Sequence, residues 1–344
     1  MKIIPLHETS LLQIPEKTHL YSLDTFLQYT PKMAATVSGS PPNFFEIMGN
    51  SLPALIGEIP NPTRNVTLSF QQIRKALRDI SLVYQTKLGR YDVRTNWKDP
   101  ANRCAYVFLY FSKHSHLVYK ALLVNRMFFD MSWLMRREIK VCSIGGGPGS
   151  DIAGVIAFLN RLNYEPTLQC SVLDLFPEWQ LTWQDIKAQM PPSNVGRLDV
   201  QYRQFDMTKG PPFARDISNL LRNADLVTFV KSFSTVSVES SVHTIVLPSI
   251  MKALQPGAFI LFIDNSVNQV ANASFKIIAQ KAGFNVLYQF DHNIKLTLPA
   301  TGLVLGFSSG ECFDYRPLRS CSVIIYLLQK PSASSPLMNS CLPY

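Results

Sequence analysis

Two kinds of hydrophobic spacing divide the chain near residue 139. Beyond that point, short apolar runs of strand length alternate with stretches in which apolar residues recur every three to four positions. The runs predict strands at about 139–144, 168–174, 199–205, 224–230, 258–263, 284–290 and 321–328. The periodic stretches predict helices at about 151–162, 178–189, 217–222, 243–254 and 273–282. A βα repeat of this kind implies an α/β fold: a mostly parallel seven-stranded sheet. The last two strands form a hairpin-like pair that adds an antiparallel final strand at the edge. Residues 331–344, rich in Ser and Pro, predict a loose tail.

Upstream the pattern is weaker. Residues 1–63 hold short apolar pieces, Leu11-Leu12 and Leu20–Tyr29, and two runs of breakers, Ser38-Gly39-Ser40-Pro41-Pro42-Asn43 and Ile59-Pro60-Asn61-Pro62-Thr63, so no long element is expected there. Ser69-Phe70-Gln71-Gln72 has capping-box spacing. It opens a helix with Phe70, Ile73, Leu77, Ile80 and Tyr84 on one side, Arg74, Lys75 and Arg78 away from it, and Gly89 as a stop. Asp99-Pro100 has the residues of an N-cap and first helical position, so helix is expected over Ala101–Phe111 and again over His116–Phe129. Tyr106 and Tyr110, one turn apart, share a face. Packing explains both; a second reading has one of them lining a ligand site, since this region leads into the glycine-rich stretch described below. The expected organisation is a basic, mainly helical N-terminal extension (1–135), acting as substrate dock or lid, an α/β domain (136–330) and the tail.

The formal net charge of +9 is unevenly spread. Residues 1–140 hold 18 Lys and Arg against 10 Asp and Glu, whereas the remainder holds 15 against 14. A basic appendage on a near-neutral body points to an acidic partner, nucleic acid first, although a solvated basic face accounts for the same charge. Arg64 to Arg103 contains nine basic and three acidic residues, with Tyr91 and Trp97 among them. Phosphate contacts combined with base stacking use such a mixture, and a helix face with buried rings uses it equally. Arg74, Lys75, Arg78 and Tyr106 are therefore candidate substrate contacts. Six scattered cysteines with no C-x-x-C spacing argue against a metal site or a disulfide framework. The N-terminus lacks the apolar core of a secretory signal, and no apolar run approaches the ~20 residues of a membrane helix. The expectation is an intracellular protein, cytoplasmic or nuclear, with no membrane contact; the sequence is silent on oligomeric state.

The densest signal is Val141-Cys142-Ser143-Ile144-Gly145-Gly146-Gly147-Pro148-Gly149-Ser150-Asp151. Four glycines and a proline between a predicted strand and a predicted helix read as a tight loop that admits a ligand to the backbone, with a helix N-terminus behind it. The dinucleotide fingerprint G-x-G-x-x-G requires glycine at Ser150 or Ile152 and so fails, and no G-x-x-x-x-G-K is present. What remains is G-x-G-x-G at Gly145, Gly147 and Gly149. Asp174 ends the next strand, where a carboxylate suits two ribose hydroxyls. Asp206 ends the third, placed to accept from an adenine amino group with Met207 against the ring.

Gly145–Asp151, Asp174, Asp206-Met207 and Asp225–Lys231 together resemble the class I S-adenosylmethionine-dependent methyltransferases over about residues 140–330. The resemblance implies a final antiparallel strand, and S-adenosyl-L-methionine held by Gly145, Gly147, Gly149, Asp151, Asp174, Leu175, Asp206 and Met207. One position departs: the family usually has Asp or Glu two residues before the first glycine, and here it is Ser143, with Asp151 a partial substitute. Asp99-Pro100, Arg103, Ala105-Tyr106, Trp179 and Trp183 further resemble eukaryotic Rossmann-like methyltransferases of large-subunit ribosomal RNA.

Methyl transfer from a sulfonium asks the protein chiefly to position two reactants, to remove a proton where the nucleophile carries one, and to place aromatic faces near the positive charge. The acceptor is expected at the end of the fourth strand. There Lys231 is a candidate to orient an anionic group or act as a base, and Phe233 to stack on a planar one. A surface lysine and a packed ring account for the same two residues. No Pro-Cys dipeptide is present, and no Asp/Asn-Pro-Pro-aromatic motif follows the fourth strand. Pro41-Pro42-Asn43-Phe44 has the wrong order and place. Covalent attack on pyrimidine carbon-5 and methylation of exocyclic amines are thereby disfavoured. Three functions remain: an RNA methyltransferase, a methyltransferase of small molecules or proteins, and a non-catalytic cofactor-binding protein.

Overall fold

In the computed structural model the described residues are 43–57, 67–86, 95–133, 136–193, 195–295 and 320–332, all within one unit spanning 38–344. Tyr91, Gly89, residues 1–37 and nearly all of the expected tail lie outside them.

The central strands are apolar along their whole length because helices cover both faces. Every residue of β4 (Leu226–Val230) is buried, as are the first six of β5 (Phe259–Asn265). With β1 (Glu138–Ile144), β2 (Thr167–Asp174), β3 (Arg197–Gln204), β6 (Asn285–Lys295) and β7 (Ser320–Gln329), they form one sheet in the order β3-β2-β1-β4-β5-β7-β6. The first five strands pair in parallel, and β7 runs antiparallel to both neighbours. The last two strands form the expected antiparallel edge, with the final strand β7 between β5 and β6 and β6 at the border. Strand order reverses between β1 and β4, where Ser143 stands opposite Thr228. At such a switch point the loops leave in opposite directions and open a crevice beyond the carboxyl ends.

The N-terminal region begins with α1 (Phe44–Ile56), a helix that its internal Pro53 and flanking breakers concealed in the sequence. Asn43 caps it through Glu46 N–H, and its buried residues include Phe44, Phe45, Ile47, Met48, Leu52 and Leu55. In α2 (Phe70–Thr86) the capping box forms as expected: Gln72 N–H donates to Ser69 Oγ at 3.3 Å, and Ser69 N–H to Gln72 Oε1 at 2.8 Å. Ile73, Leu77 and Ile80 are buried on it, and Arg74, Lys75 and Arg78 are exposed. Asp99 caps α3 (Pro100–Tyr106) through Ala101 N–H at 2.8 Å. A π-turn over Val107–Phe111 carries the chain straight into α4 (Ser112–Val124), followed by α5 (Arg126–Trp133).

The helices after the sheet begins are α6 (Ser150–Arg161), α7 (Trp179–Ala188), α8 (Arg215–Asn223), α9 (Leu247–Ala253) and α10 (Gln269–Lys281). α4 lies directly on α6. At Gly154 an added Cβ would stand 2.6 Å from Ser115 O and 2.7 Å from Val118 Cβ, so glycine there lets the two backbones touch. This contact holds α4 against the helix that follows the glycine loop. At the far end of the sheet, Arg136 and the Lys140 N–H both bind the Asp225 carboxylate, so this aspartate ties strand starts together, far from the crevice.

Candidate functional site

Gly145, Gly147 and Gly149 adopt φ of +66°, +50° and +78°, a region costly for side-chain-bearing residues. Their surroundings differ. A Cβ on Gly145 would come within 2.5 Å of Ser232 Cβ, and one on Gly149 within 2.6 Å of the Trp183 ring. A Cβ on Gly147 would meet nothing nearer than the Trp179 ring at 3.8 Å. Packing thus requires glycine at 145 and 149, whereas at 147 a Cβ would rest in ordinary contact with the Trp179 ring, so there only the positive φ asks for glycine.

Two carboxylates secure the loop. Gly147 N–H donates to Asp174 Oδ2 and Phe176 N–H to Asp174 Oδ1, both at 3.0 Å. Burial pushes the Asp174 carboxyl up to about 6. Its oxygens retain lone pairs for further donors. Asp151 holds the loop from beneath: Ser143 and Thr228, opposite each other on β1 and β4, both donate to its Oδ2, and Ile152 N–H donates to Oδ1 at 3.1 Å. Only 2% exposed, Asp151 is pushed upward by burial. Ser143 is the hydroxyl partner of a carboxylate supplied from the helix, and that carboxylate ties β1 and β4 together at the switch point.

Asp206 closes its own turn, accepting from Thr208 N–H at 2.9 Å and Thr208 Oγ1 at 2.6 Å, with Lys209 Nζ 3.9 Å from its other oxygen. Met207, 7% exposed, packs in the apolar cluster with Ile144, Leu173 and Phe229. Leu175, directly after Asp174, is half-buried.

Rings from both halves of the chain cluster beside the glycine loop. Trp179 on α7 lies 5.3 Å from Trp97 and 5.5 Å from Tyr106 between centroids. Tyr106 lies 5.0 Å from Tyr110, which stacks on His114 at 5.7 Å. Arg103 fixes this wall by donating to the Trp97 and Lys98 carbonyls and to Thr182. At one end of this cluster the Trp179 ring lies 3.8 Å from where a Cβ of Gly147 would stand.

Just after β4, Lys231 adopts φ +56°, uncommon for a residue with a side chain. Its N–H donates to Ile263 O at 2.7 Å, and its Nζ donates to Asn265 Oδ1 at 2.6 Å. Burial lowers its pKa to about 8 against the opposing pull of Asp264. At pH 7 roughly a tenth of it is neutral, so the ammonium form dominates and binding an anion suits it better than proton abstraction. Asp264 accepts from Ser234 N–H at 2.8 Å and Asn265 N–H at 2.7 Å. Phe233 does not face an acceptor: fully buried, it meets Phe262, Phe275 and His243 edge-on and belongs to the core.

Sequence reasoning did not find Lys113 and His114, buried at 6% and 4% exposure. Lys113 Nζ sits 5.8 Å from the Tyr110 ring centroid, and Tyr106 OH lies 3.5 Å from His114 Nδ1. In the sequence they sit within the polar run Ser112–His116 and carry no distinguishing signal; the structure places them just after a π-turn, a feature that often accompanies functional sites. Arg74, Lys75 and Arg78 stand on the exposed face of α2, with Lys75 paired to Asp79 at 2.7 Å. Among the described residues no group of three His, Cys, Asp or Glu is arranged to hold a metal ion, and no helix is long and apolar enough to cross a membrane.

No protein-family profile matches the sequence, and none of the curated proteins compared with it matches. Solved structures do. A putative methyltransferase from Thermoplasma acidophilum is 16% identical, with 58% of this chain and 70% of that one covered, at a TM-score of 0.35. Precorrin-6y C5,15-methyltransferase from Geobacter metallireducens is 13% identical, covering 71% and 96% at 0.38. A methyltransferase from Pyrococcus furiosus is 11% identical, covering 76% and 98% at 0.34. The sheet itself, five parallel strands closed by an inserted antiparallel β7, is that of the class I Rossmann-like methyltransferases.

Proposed function

We propose that the chain is an S-adenosyl-L-methionine-dependent methyltransferase and that its acceptor is RNA. The observation that carries the first half is the clasp of Gly147 N–H on Asp174 Oδ2 at the carboxyl ends of β1 and β2, beside the Trp179 ring. The residues present fit the cofactor. Asp174 has acceptor capacity for a diol, Asp206 stands at the next strand end, and Ser232 Oγ, buried and without a hydrogen-bond partner, faces the loop at Gly145. When bound, this cofactor supplies an activated methyl group on a sulfonium. The chain would contribute loop backbone and carboxylates for binding, and aromatic faces of Trp97, Tyr106 and Trp179 that exclude water and favour positive charge.

The RNA half rests on the exposed Arg74, Lys75 and Arg78 of α2, a helix packed on α3, which bears Tyr106 of the aromatic wall. A second reading, a small anionic acceptor, is favoured by the burial of Lys113 and Lys231. Calorimetry with S-adenosylmethionine tests the cofactor, and absence of heat from the wild-type chain would refute it. RNA binding that weakens steeply with salt, and weakens further when Arg74, Lys75 and Arg78 are neutralised, supports the RNA reading. Salt-independent binding, or none, would leave the small-acceptor reading.

A further inference from the structure

The segment that leaves β4 packs on the glycine loop at its start: a Cβ added to Gly145 would stand 2.5 Å from Ser232 Cβ. Lys231 N–H and Ser234 N–H tie this start to β5, at Ile263 O and Asp264 Oδ2. Beyond Ser234 the bonds are short-range. Val236 N–H donates to Phe233 O at 3.0 Å, Ser237 Oγ to Ser234 O at 3.3 Å, and Glu239 N–H to Val236 O at 3.1 Å. Turns of this kind join neighbours and do not fix a segment against the rest of the fold.

One side chain supplies that tie. His243 stands in the π-turn Val242–Val246 ahead of α9, and its Nε2 lies 2.7 Å from Ser237 O. Its Nδ1 lies 2.8 Å from Ser274 Oγ on α10. A carbonyl only accepts, so Nε2 carries the proton, and in the neutral ring Nδ1 then accepts from the Ser274 hydroxyl. The next residue of α10, Phe275, meets the Phe233 ring at 5.2 Å, and the imidazole meets Phe233 edge-on at 5.4 Å. The segment is therefore held to α10 at two points, Phe233 and Ser237, and Ser232 immediately precedes the first.

We propose that His243, oriented by Ser274, is a positioning residue for the cofactor loop: it braces the segment after β4 so that Ser232 stays packed on Gly145. Without the bond to Ser237 O, the segment past Ser234 keeps only its local turns, and the contact of Ser232 with Gly145 loosens. The loop's own bonds, Gly145 N–H to Leu173 O at 2.7 Å and Gly147 N–H to Asp174 Oδ2 at 3.0 Å, then open more often. A ligand that needs the loop in one conformation binds more weakly to a loop that adopts it for less of the time. The consequence for cofactor binding rests on the methyltransferase reading, whereas the brace itself does not.

Calorimetry with S-adenosylmethionine and native-state hydrogen exchange, both on the full chain, test this together. His243→Leu should weaken cofactor binding roughly tenfold and speed exchange of the Gly145 and Gly147 amides by a similar factor. His243→Gln should stay within about threefold of wild type in both, because its amide nitrogen reaches the Ser237 carbonyl. His243→Asn, one carbon shorter, should behave like His243→Leu. Gln255→Ala controls for a general loss of stability. The Gln255 side chain donates to Asn223 O, Ala224 O and Asp225 Oδ1 at the opposite end of β4, so its removal should lower Tm and leave cofactor affinity and glycine-loop exchange unchanged. Wild-type exchange at Gly145 and Gly147 in His243→Leu would overturn the proposal, whatever happens to binding. So would a His243→Gln chain as impaired as His243→Leu, or an equal effect in Gln255→Ala, which would mark His243 as a residue of general stability. No cofactor heat from the wild-type chain defeats the methyltransferase reading alone, and exchange at the two glycines then decides the brace by itself.

Discussion

The Ser143 hydroxyl donates to the carboxylate of Asp151, eight residues later in the chain and on the first turn of the helix behind the glycine loop. Ser143 is fully buried and Asp151 nearly so, and Thr228 supplies a second hydroxyl to the same oxygen. A carboxylate at 143 would face a carboxylate at 151 in a site without water. Replacing Ser143 with Asp should therefore cost at least about 3 kcal/mol, and replacing it with Ala about 1–3 kcal/mol, in denaturant unfolding. The double substitution Ser143→Asp with Asp151→Ser should recover much of the first loss. If it is no more stable than Ser143→Asp alone, the exchange of roles between the two positions is wrong.

Gly147 and Gly149 should separate binding from folding. Gly149→Ala drives a methyl group into the Trp183 ring at a positive φ, and should lower stability by about 2 kcal/mol or more. Gly147→Ala meets no atom within 3.7 Å and should cost only about 1 kcal/mol of backbone strain, yet it adds a methyl group to the loop proposed to hold the cofactor. The expected pattern in parallel unfolding and calorimetry is a folded Gly147→Ala chain with S-adenosylmethionine affinity reduced by roughly tenfold or more.

Cofactor binding should weaken in mild acid. With the Asp174 carboxyl raised to about 6, roughly a tenth is ionised at pH 5, so affinity should fall about tenfold from pH 7 to pH 5. The sign for stability is opposite: a carboxyl raised in the folded state favours folding below about pH 4 and loses that contribution as pH rises through about 6. Binding should thus fade before the chain unfolds. Calorimetry across this range on wild type and Asp174→Asn is the check, and the variant should bind weakly with a flat profile.

Lys231 titrates near 8 when folded and near 10.5 when unfolded. Between these values the unfolded chain binds more protons, so the penalty of the buried ammonium, present below pH 8, is relieved as pH rises. Fully relieved, it amounts to about 3 kcal/mol. Tm measured from pH 7 to 9 should therefore rise more in wild type than in Lys231→Met. Comparing the two removes the contribution of Cys142, whose thiol burial pushes up to about 12 and which acts in the opposite direction.

Gly154 should prove essential to the position of α4. Adding a methyl group 2.6 Å from Ser115 O separates α4 from α6, and Gly154→Ala should cost about 1–3 kcal/mol. Because His114, stacked on Tyr110, rides on α4, the same change should also disturb the aromatic cluster beside the glycine loop and weaken cofactor binding. A stable variant with unchanged ligand affinity would show that α4 is not positioned by this contact.

Much of this was legible in the sequence because it is local. Strand and helix order from residue 139, the capping box at Ser69–Gln72, the cap at Asp99 and the glycine loop follow from spacing, turn chemistry and backbone sterics. α1 was not legible, since Pro53 and the neighbouring breakers mask a helix that is stabilised by burial from elsewhere in the chain. Phe233 misled for a related reason: an aromatic two residues beyond a catalytic-looking lysine reads the same whether it faces a ligand or, as here, Phe262 and Phe275.

The sequence by itself determined a parallel α/β sheet with a loop able to admit a nucleotide-like ligand, because both are set by the periodicity and stereochemistry of neighbouring residues. The tertiary structure decided what no spacing encodes. It placed Ser143 and Thr228 on one carboxylate, set the final strand β7 between β5 and β6, and joined Ser237 and Ser274 through one imidazole. Those outcomes depend on which surfaces meet once the helices pack on the sheet, and on the cost of burying charge where they meet.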